Sequence, residues 1–232
     1  MSRRPFAAAY GPWAIVAGGS GGLGAAFADQ IARHGVNLVL VARRPGPLKE
    51  TADRMRREHQ VDVITVTADL ADPGTLGQIQ IAAAGADIGL VVANAASAPQ
   101  GKFLDIPQSE LATVVDLNVR ASMLLARAFL PAMARRGHGG LIFVSSLAGL
   151  QGVPGLAAYS ATKAFLITLG ESLWAELRPA GVDVLTVCAG AVATLGYEQA
   201  ARRRAPGMLQ RLTPRRAAIA VFGRASAAAL KP

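Results

Sequence analysis

Six short apolar runs, separated by longer stretches of helical periodicity, restrict this chain to few architectures. They are WAIVAG (13–18), NLVLVA (37–42), VDVITVT (61–67), GLVVAN (89–94), LIFVSS (141–146) and VDVLTVC (182–188). None alternates apolar with polar residues, so each suits a strand covered on both faces, as in a parallel sheet. Helical stretches fall near 23–34, 47–58, 75–84, 107–134 and 157–178, and GHGG (137–140) and PAGV (179–182) mark turns from helix back to strand. The repeated alternation predicts an α/β protein of three αβα layers around a mostly parallel, doubly wound sheet.

The length of 232 residues suits one domain, 1–232, and a content of 52% apolar and 17% charged residues argues against disorder. No repeats or long Gly/Ser linkers divide it. The single cysteine, Cys188, lies in an apolar run. It predicts one buried thiol, no disulfide framework and a reducing compartment. The formal charge of +9 comes mainly from arginine clusters scattered along the chain without interleaved aromatics. They read as solvated faces, not as the contiguous stripe that nucleic acid requires. The opening MSRRPFAAAYGPWAIVAGG imitates a twin-arginine export signal, yet its apolar part runs directly into the first strand. No segment approaches the ~18 uninterrupted apolar residues of a membrane span. A cytoplasmic protein is expected. Residues 195–212, with few apolar anchors, read as a mobile substrate lid, followed by a helix begun by Thr213 and Pro214.

After the first strand comes AGGSGGLG, which sets Gly18, Gly22 and Gly24 as G-x-x-x-G-x-G before a helix. Glycines here permit a sharp turn and let a pyrophosphate approach the helix N-terminus, where free N–H groups favour anions. Strand before and helix after supply the context that a dinucleotide-binding Rossmann fold demands. The second strand ends VLVARRP, with Arg43 and Arg44 where many NAD-binding folds carry an acidic residue, ~20 residues past the glycines. A carboxylate repels a 2′-phosphate, whereas a guanidinium pairs with it. The expected cofactor is therefore NADP(H) in preference to NAD(H), with Arg43 the leading contact.

Tyr159 and Lys163 stand one helical turn apart in AAYSATKAFL, thirteen residues after Ser146 at the end of LIFVSS, and Asn118 lies in DLNVRAS. With the glycine turn, TADLAD around Asp69 and VANAAS around Asn94, this order and spacing over residues ~10 to ~195 resemble the short-chain dehydrogenase/reductase family. The resemblance implies catalysis by Asn118, Ser146, Tyr159 and Lys163. Tyr159 would be the general acid/base for hydride transfer between nicotinamide and a carbonyl or secondary alcohol, Ser146 would hold the substrate oxygen and Asn118 a relay water. Tyrosine titrates near ~10, so it needs a neighbouring cation to favour phenolate. Lys163 is expected to supply that field and to hold the nicotinamide ribose. The resemblance further implies cofactor contacts from Gly18, Ser20, Gly22, Leu23, Gly24, Arg43, Arg44, Asp69, Leu70, Asn94, Ala95, Gly190, Val192 and Thr194. Ser145 and the histidines His34, His59 and His138 receive no chemical role, and no metal-ligand spacing is seen.

Ala17, Ala93, Ala96 and Ala189 depart from the family pattern, touching cofactor contacts and leaving the proton-transfer residues intact. The chain also stops short of the seventh strand usual in the family. The last strand is therefore expected to be missing or shortened, with the sixth an exposed edge unless a homodimer or homotetramer covers it. The loop LAGLQGVPGLAA (147–158) and the lid are expected to line the pocket and to offer mostly Leu, Val, Ala and Gly near Ser146, which points to an apolar carbonyl or alcohol substrate. Rival readings are a non-catalytic nucleotide sensor or interaction protein on the same fold, a nucleic-acid binder, and a relative that epimerises or dehydrates.

Overall fold

The structure, a computed structural model, describes residues 5–190. Its elements run α1 (Phe6–Tyr10), β1 (Trp13–Ala17), α2 (Gly22–Ala32), β2 (Asn37–Ala42), α3 (Pro45–His59), β3 (Val63–Thr67), α4 (Thr75–Ala82), β4 (Ile88–Ala93), α5 (Gln108–Val115), α6 (Ala121–Arg136), β5 (Gly139–Ser146), α7 (Ala157–Leu177) and β6 (Val182–Ala189). All six strands form one sheet in the order β3-β2-β1-β4-β5-β6, and every pairing is parallel. The doubly wound parallel fold expected from the apolar runs is the one observed. The lid at 195–212, the helix after Thr213, Val192, Thr194 and the question of a seventh strand lie outside the described residues.

Successive side chains of each buried strand point to opposite helical layers. Ala14 and Val16 of β1 belong to the core under α2 and α3, with Phe27, Ile31, Leu48 and Met55. Ile15 and Ala17 belong to the other, with Ile79, Leu125, Met133 and Leu166 from α4, α6 and α7. Burial on both sides explains the unbroken apolar runs of β1, β2 and β4, whereas β3, at the end of the strand order, exposes Thr65 and Thr67. Cys188 departs from expectation: it is half-buried, because β6 lies at the sheet edge among the described residues. Burial and the nearby Glu171 carboxylate push its thiol pKa up, the reverse of a reactive cysteine.

Two further differences concern the helices. The N-terminal stretch contains α1, whose Tyr10 hydroxyl donates to Asp183 at 2.5 Å. Tyr10 also lies against Gly140, so α1 covers the amino ends of β5 and β6. The single helix expected over 107–134 is interrupted by a π turn at Asp116–Arg120, which carries Asn118. Such a turn inserts an extra residue and commonly marks a functional position.

The glycine turn is built by close approach. Gly18 has φ of +82°, and a Cβ on Gly24 would lie 2.1 Å from the Gly18 carbonyl oxygen. Gly24→Ala should therefore lower stability by about 1–3 kcal/mol in denaturant unfolding. Gly77→Ala, in α4 where a Cβ meets nothing within 4 Å, should raise it by about 0.4–1 kcal/mol.

Candidate active site

The register aligns the carboxyl ends of the strands, because Ala17 pairs with Ala93 and Ser146 with Ala189. In open α/β sheets this edge is where ligands bind. A cleft of about 780 Å³ lies there, lined in part by Gly18, Ser20, Gly22, Leu23, Arg43, Arg44, Asp69, Leu70, Asn94 and Ala95. All ten are residues expected to contact a cofactor. Gly24 stands behind the turn, and Asn94 Nδ2 donates to the Gly18 carbonyl at 3.3 Å. A Cβ on Gly18 would come within 2.9 Å of Asn94 Nδ2, so the absent side chain leaves the space between the turn and β4 open. Arg43 and Asp69 both line the cleft and face each other, Nη1 to Oδ2, at 3.6 Å. The residues present fit a dinucleotide: glycine backbone for a pyrophosphate, and two guanidinium groups at the far end for an anionic substituent.

At the junction of β5 and α7 stand the proton-transfer candidates. Ser146 closes β5, and its Oγ accepts from the Ala148 N–H at 3.2 Å. Tyr159 and Lys163 lie in the first two turns of α7. Lys163 is only 2% exposed. Its Nζ donates to the Val144 carbonyl at 2.7 Å and sits 5.6 Å from the centre of the Tyr159 ring. Burial pushes the Lys163 pKa down to about 8. Burial likewise raises that of Tyr159, and the Ser146 hydroxyl pulls it back. The ammonium faces the ring and a main-chain carbonyl, so in the protein by itself desolvation of the phenolate dominates. Ser145 takes a structural part, its Oγ donating to the Lys163 carbonyl at 2.7 Å.

Asn118 stands in the π turn between α5 and α6, fully buried. Its amide donates to the Ser97 carbonyl at 2.9 Å and to Thr162 Oγ1 at 3.0 Å, and Oδ1 accepts from the Ser97 N–H at 2.9 Å. Both amide hydrogens are engaged by protein, which makes the side chain a clamp between the 97 loop and α7. Thr162, which the sequence reading passed over, completes it by donating to the Tyr159 carbonyl at 2.8 Å. Threonine hydroxyls often bond back along a helix, so that bond was inferable. The partner 44 positions away was not. Gly190 lies beside Leu147. The loop after β5 exposes Leu147 and Leu150. Part of that loop, with Ser160, Ala161 and Ala164, borders a separate hollow of about 590 Å³ on the neighbouring face of α7.

Two outcomes are expected from this geometry. Thr162→Val leaves an amide hydrogen of the buried Asn118 without a partner and should cost about 1–3 kcal/mol in equilibrium unfolding, with Thr162→Ser close to the parent. Lys163 gives a pH signature. The folded chain loses the Lys163 proton near pH 8 and the unfolded chain near 10.5, so stability rises with pH across that window, and the full cost stands below it. Lys163→Met removes the charge and should exceed the parent by up to roughly 3 kcal/mol at neutral pH. That gap should narrow as the pH is raised toward 10 in parallel unfolding curves; a gap indifferent to pH would contradict the desolvation described.

Comparison with known proteins follows the same lines. The profile of the short chain dehydrogenase family matches residues 12–204. The chain is 34% identical over 185 residues to a very-long-chain 3-oxoacyl-CoA reductase of Laccaria bicolor, covering 78% of this chain and 55% of that one. It is 30% identical over 185 residues to a 7beta-hydroxysteroid dehydrogenase of Mediterraneibacter gnavus, covering 80% and 70% respectively. A short-chain dehydrogenase from Sphingobium yanoikuyae, solved in complex with NADPH, matches with a TM-score of 0.86 and 30% identity over 93% of this chain and 85% of that chain. The chain spans 55% of the length of the fungal reductase and 60% of its human counterpart. No helix among the described residues is long and apolar enough to cross a membrane. A family match over most of the chain, with the glycine turn and the Tyr-x-x-x-Lys helix at one sheet edge, establishes that this chain belongs to the short-chain dehydrogenase family.

Proposed function

We propose that the protein is an NADP(H)-dependent oxidoreductase that interconverts a carbonyl and a secondary alcohol on an apolar small molecule. The observation that carries this reading is the placing of Ser146, Tyr159 and Lys163 at the sheet edge that also bears a cleft ending in Arg43 and Arg44. The glycine turn from Gly18 to Gly22 and the start of α2 would hold the pyrophosphate. Arg43 and Arg44 would hold a 2′-phosphate, and Asp69, Leu70, Asn94 and Ala95 the adenosine half. Bound there, the cofactor supplies or accepts the hydride. Val192 and Thr194 complete the contact set that the family resemblance implies.

The chain's own residues handle the oxygen and its proton. Ser146 Oγ donates to the substrate oxygen and orients the carbonyl. In reduction Tyr159 delivers its phenolic proton to that oxygen, so that hydride on carbon and proton on oxygen together make the alcohol; in oxidation it takes the proton back. Burial keeps the phenol protonated, the form needed to donate. Lys163, one turn on, offsets the negative charge left on the phenol when it has given up its proton. Asn118 and Thr162 hold the first turns of α7 in place. Exposed Leu147 and Leu150 beside Ser146 favour an apolar substrate. The printed names of relatives and neighbours, a 3-oxoacyl-CoA reductase, a 7beta-hydroxysteroid dehydrogenase and a bulky-bulky ketone specific alcohol dehydrogenase, lie in the same direction. The lone Cys188, with no partner for a disulfide, supports a reducing cytoplasmic setting.

The test is a fluorescence titration with NADPH and NADH, followed by a screen of apolar ketones. NADPH should bind more tightly, and Tyr159→Phe should cut turnover by at least about a hundredfold while leaving NADPH affinity within a few-fold. Turnover surviving in the Phe variant would sink the mechanism. Tight NADPH binding without turnover of any carbonyl would favour a non-catalytic nucleotide-binding protein on the same fold.

A further inference from the structure

We infer that Asp69 competes with the bound cofactor for Arg43, so that this one carboxylate limits how strongly the cleft prefers NADP(H) over NAD(H). The inference rests on the reading that Arg43 meets the 2′-phosphate, and it adds a residue that sets the size of the preference.

Strand pairing brings the two side chains together. Ala42, the last residue of β2, pairs with Thr67, the last of β3, and the Ala68 N–H donates to the Ala42 carbonyl at 3.1 Å. The loops that follow therefore leave the sheet side by side, with Arg43 one residue beyond β2 and Asp69 two beyond β3. The carboxylate is the anchored member of the pair. Its Oδ1 accepts from the Ala71 N–H at 2.9 Å, and the Asp69 carbonyl accepts from the Thr75 hydroxyl. Its free oxygen, Oδ2, is the one that faces Arg43 Nη1.

The pair is weak by construction. At 3.6 Å, with side chains 64% and 44% exposed, it is an ion pair without a full hydrogen bond, of the class that contributes little in water. A phosphate dianion therefore draws the guanidinium away readily. Asp69 itself stays where Ala71 holds it, on the wall of the same cleft as Arg43 and Arg44. A bound 2′-phosphate then meets two costs that a 2′-hydroxyl does not: the loss of the Arg43–Asp69 pair and the nearby negative charge. Specificity is a difference of affinities, and both costs fall on NADPH alone. Arg44 has no ion-pair partner among the described residues and is not subject to this competition.

The experiment is a double-mutant cycle on the full chain, with dissociation constants for NADPH and NADH measured in parent, Asp69→Asn, Arg43→Ala and the double variant. Asparagine keeps the acceptor for the Ala71 N–H and removes the charge. The quantity read is the ratio of the NADH to the NADPH constant, which cancels any contact of residue 69 with the adenosine common to both. The ratio should rise about two- to fivefold in Asp69→Asn at low salt, shrink toward the parent value at about 0.5 M salt, and change far less when Arg43 is already alanine. An unchanged ratio, or a gain equally large in the Arg43→Ala background, overturns the competition. A fallen ratio overturns it too, since Asp69 would then be aiming Arg43 at the phosphate. If Arg43→Ala alone leaves the ratio at the parent value, the assignment of Arg43 to the 2′-phosphate is what fails, and the competition fails with it.

Discussion

The seam between β5 and α7 is the constraint on which the candidate site depends. A lysine ammonium almost fully removed from water is costly unless hydrogen-bonded, and Lys163 meets that need by donating to the Val144 carbonyl, while Ser145 Oγ donates to the Lys163 carbonyl. These two bonds, running in opposite senses, join strand to helix at one level. Everything placed for proton transfer hangs from that level: Ser146 is the next residue of the strand, and Tyr159 lies one turn before the lysine. Asn118 and Thr162 brace the same turn from the side. The cost of burying the charge is thus linked to the precision of the site, a common relation where function needs a perturbed group.

The glycine turn plays the corresponding part for the cleft. Close contact of Gly24 with the Gly18 carbonyl, and of Asn94 with the same carbonyl, packs the start of α2 against the end of β4. The family departures at Ala17 and Ala93 sit opposite each other in the β1–β4 pairing, where a small apolar pair packs without a hydroxyl or amide to satisfy. Ala96 lines the cleft and Ala189 pairs with Ser146. The departures therefore cluster around the sheet edge without removing any of the groups proposed to move a proton.

Legibility followed the range of the interaction involved. Strands and most helices were readable because a strand buried on two faces has a local signature, an unbroken apolar run. The glycine turn was readable because its function demands small residues at set offsets after a strand. Helix α1 was not. Its apolar residues are those an export signal would use, and only contact with Gly140 and Asp183 reveals their role. The π turn at Asp116–Arg120 has no local signature either, since DLNVR is compatible with a regular helix. The half-buried state of Cys188 depended on which strand lies at the edge, a matter of topology and not of composition.

Residue types and their order along the chain determined the fold class, the nucleotide-binding turn, the basic end of the cleft and the Tyr-x-x-x-Lys pair. Each of these rests on periodicity or on spacings of a few residues. The tertiary structure alone decided how those groups stand toward one another. It engages both amide hydrogens of Asn118 within the protein, faces the Lys163 ammonium to the Tyr159 ring and a main-chain carbonyl, and sets Asp69 against Arg43. These relations join positions far apart in the chain, or depend on how completely a group is withdrawn from water. Strand register and packing set both, and neither leaves a trace in a local window of sequence.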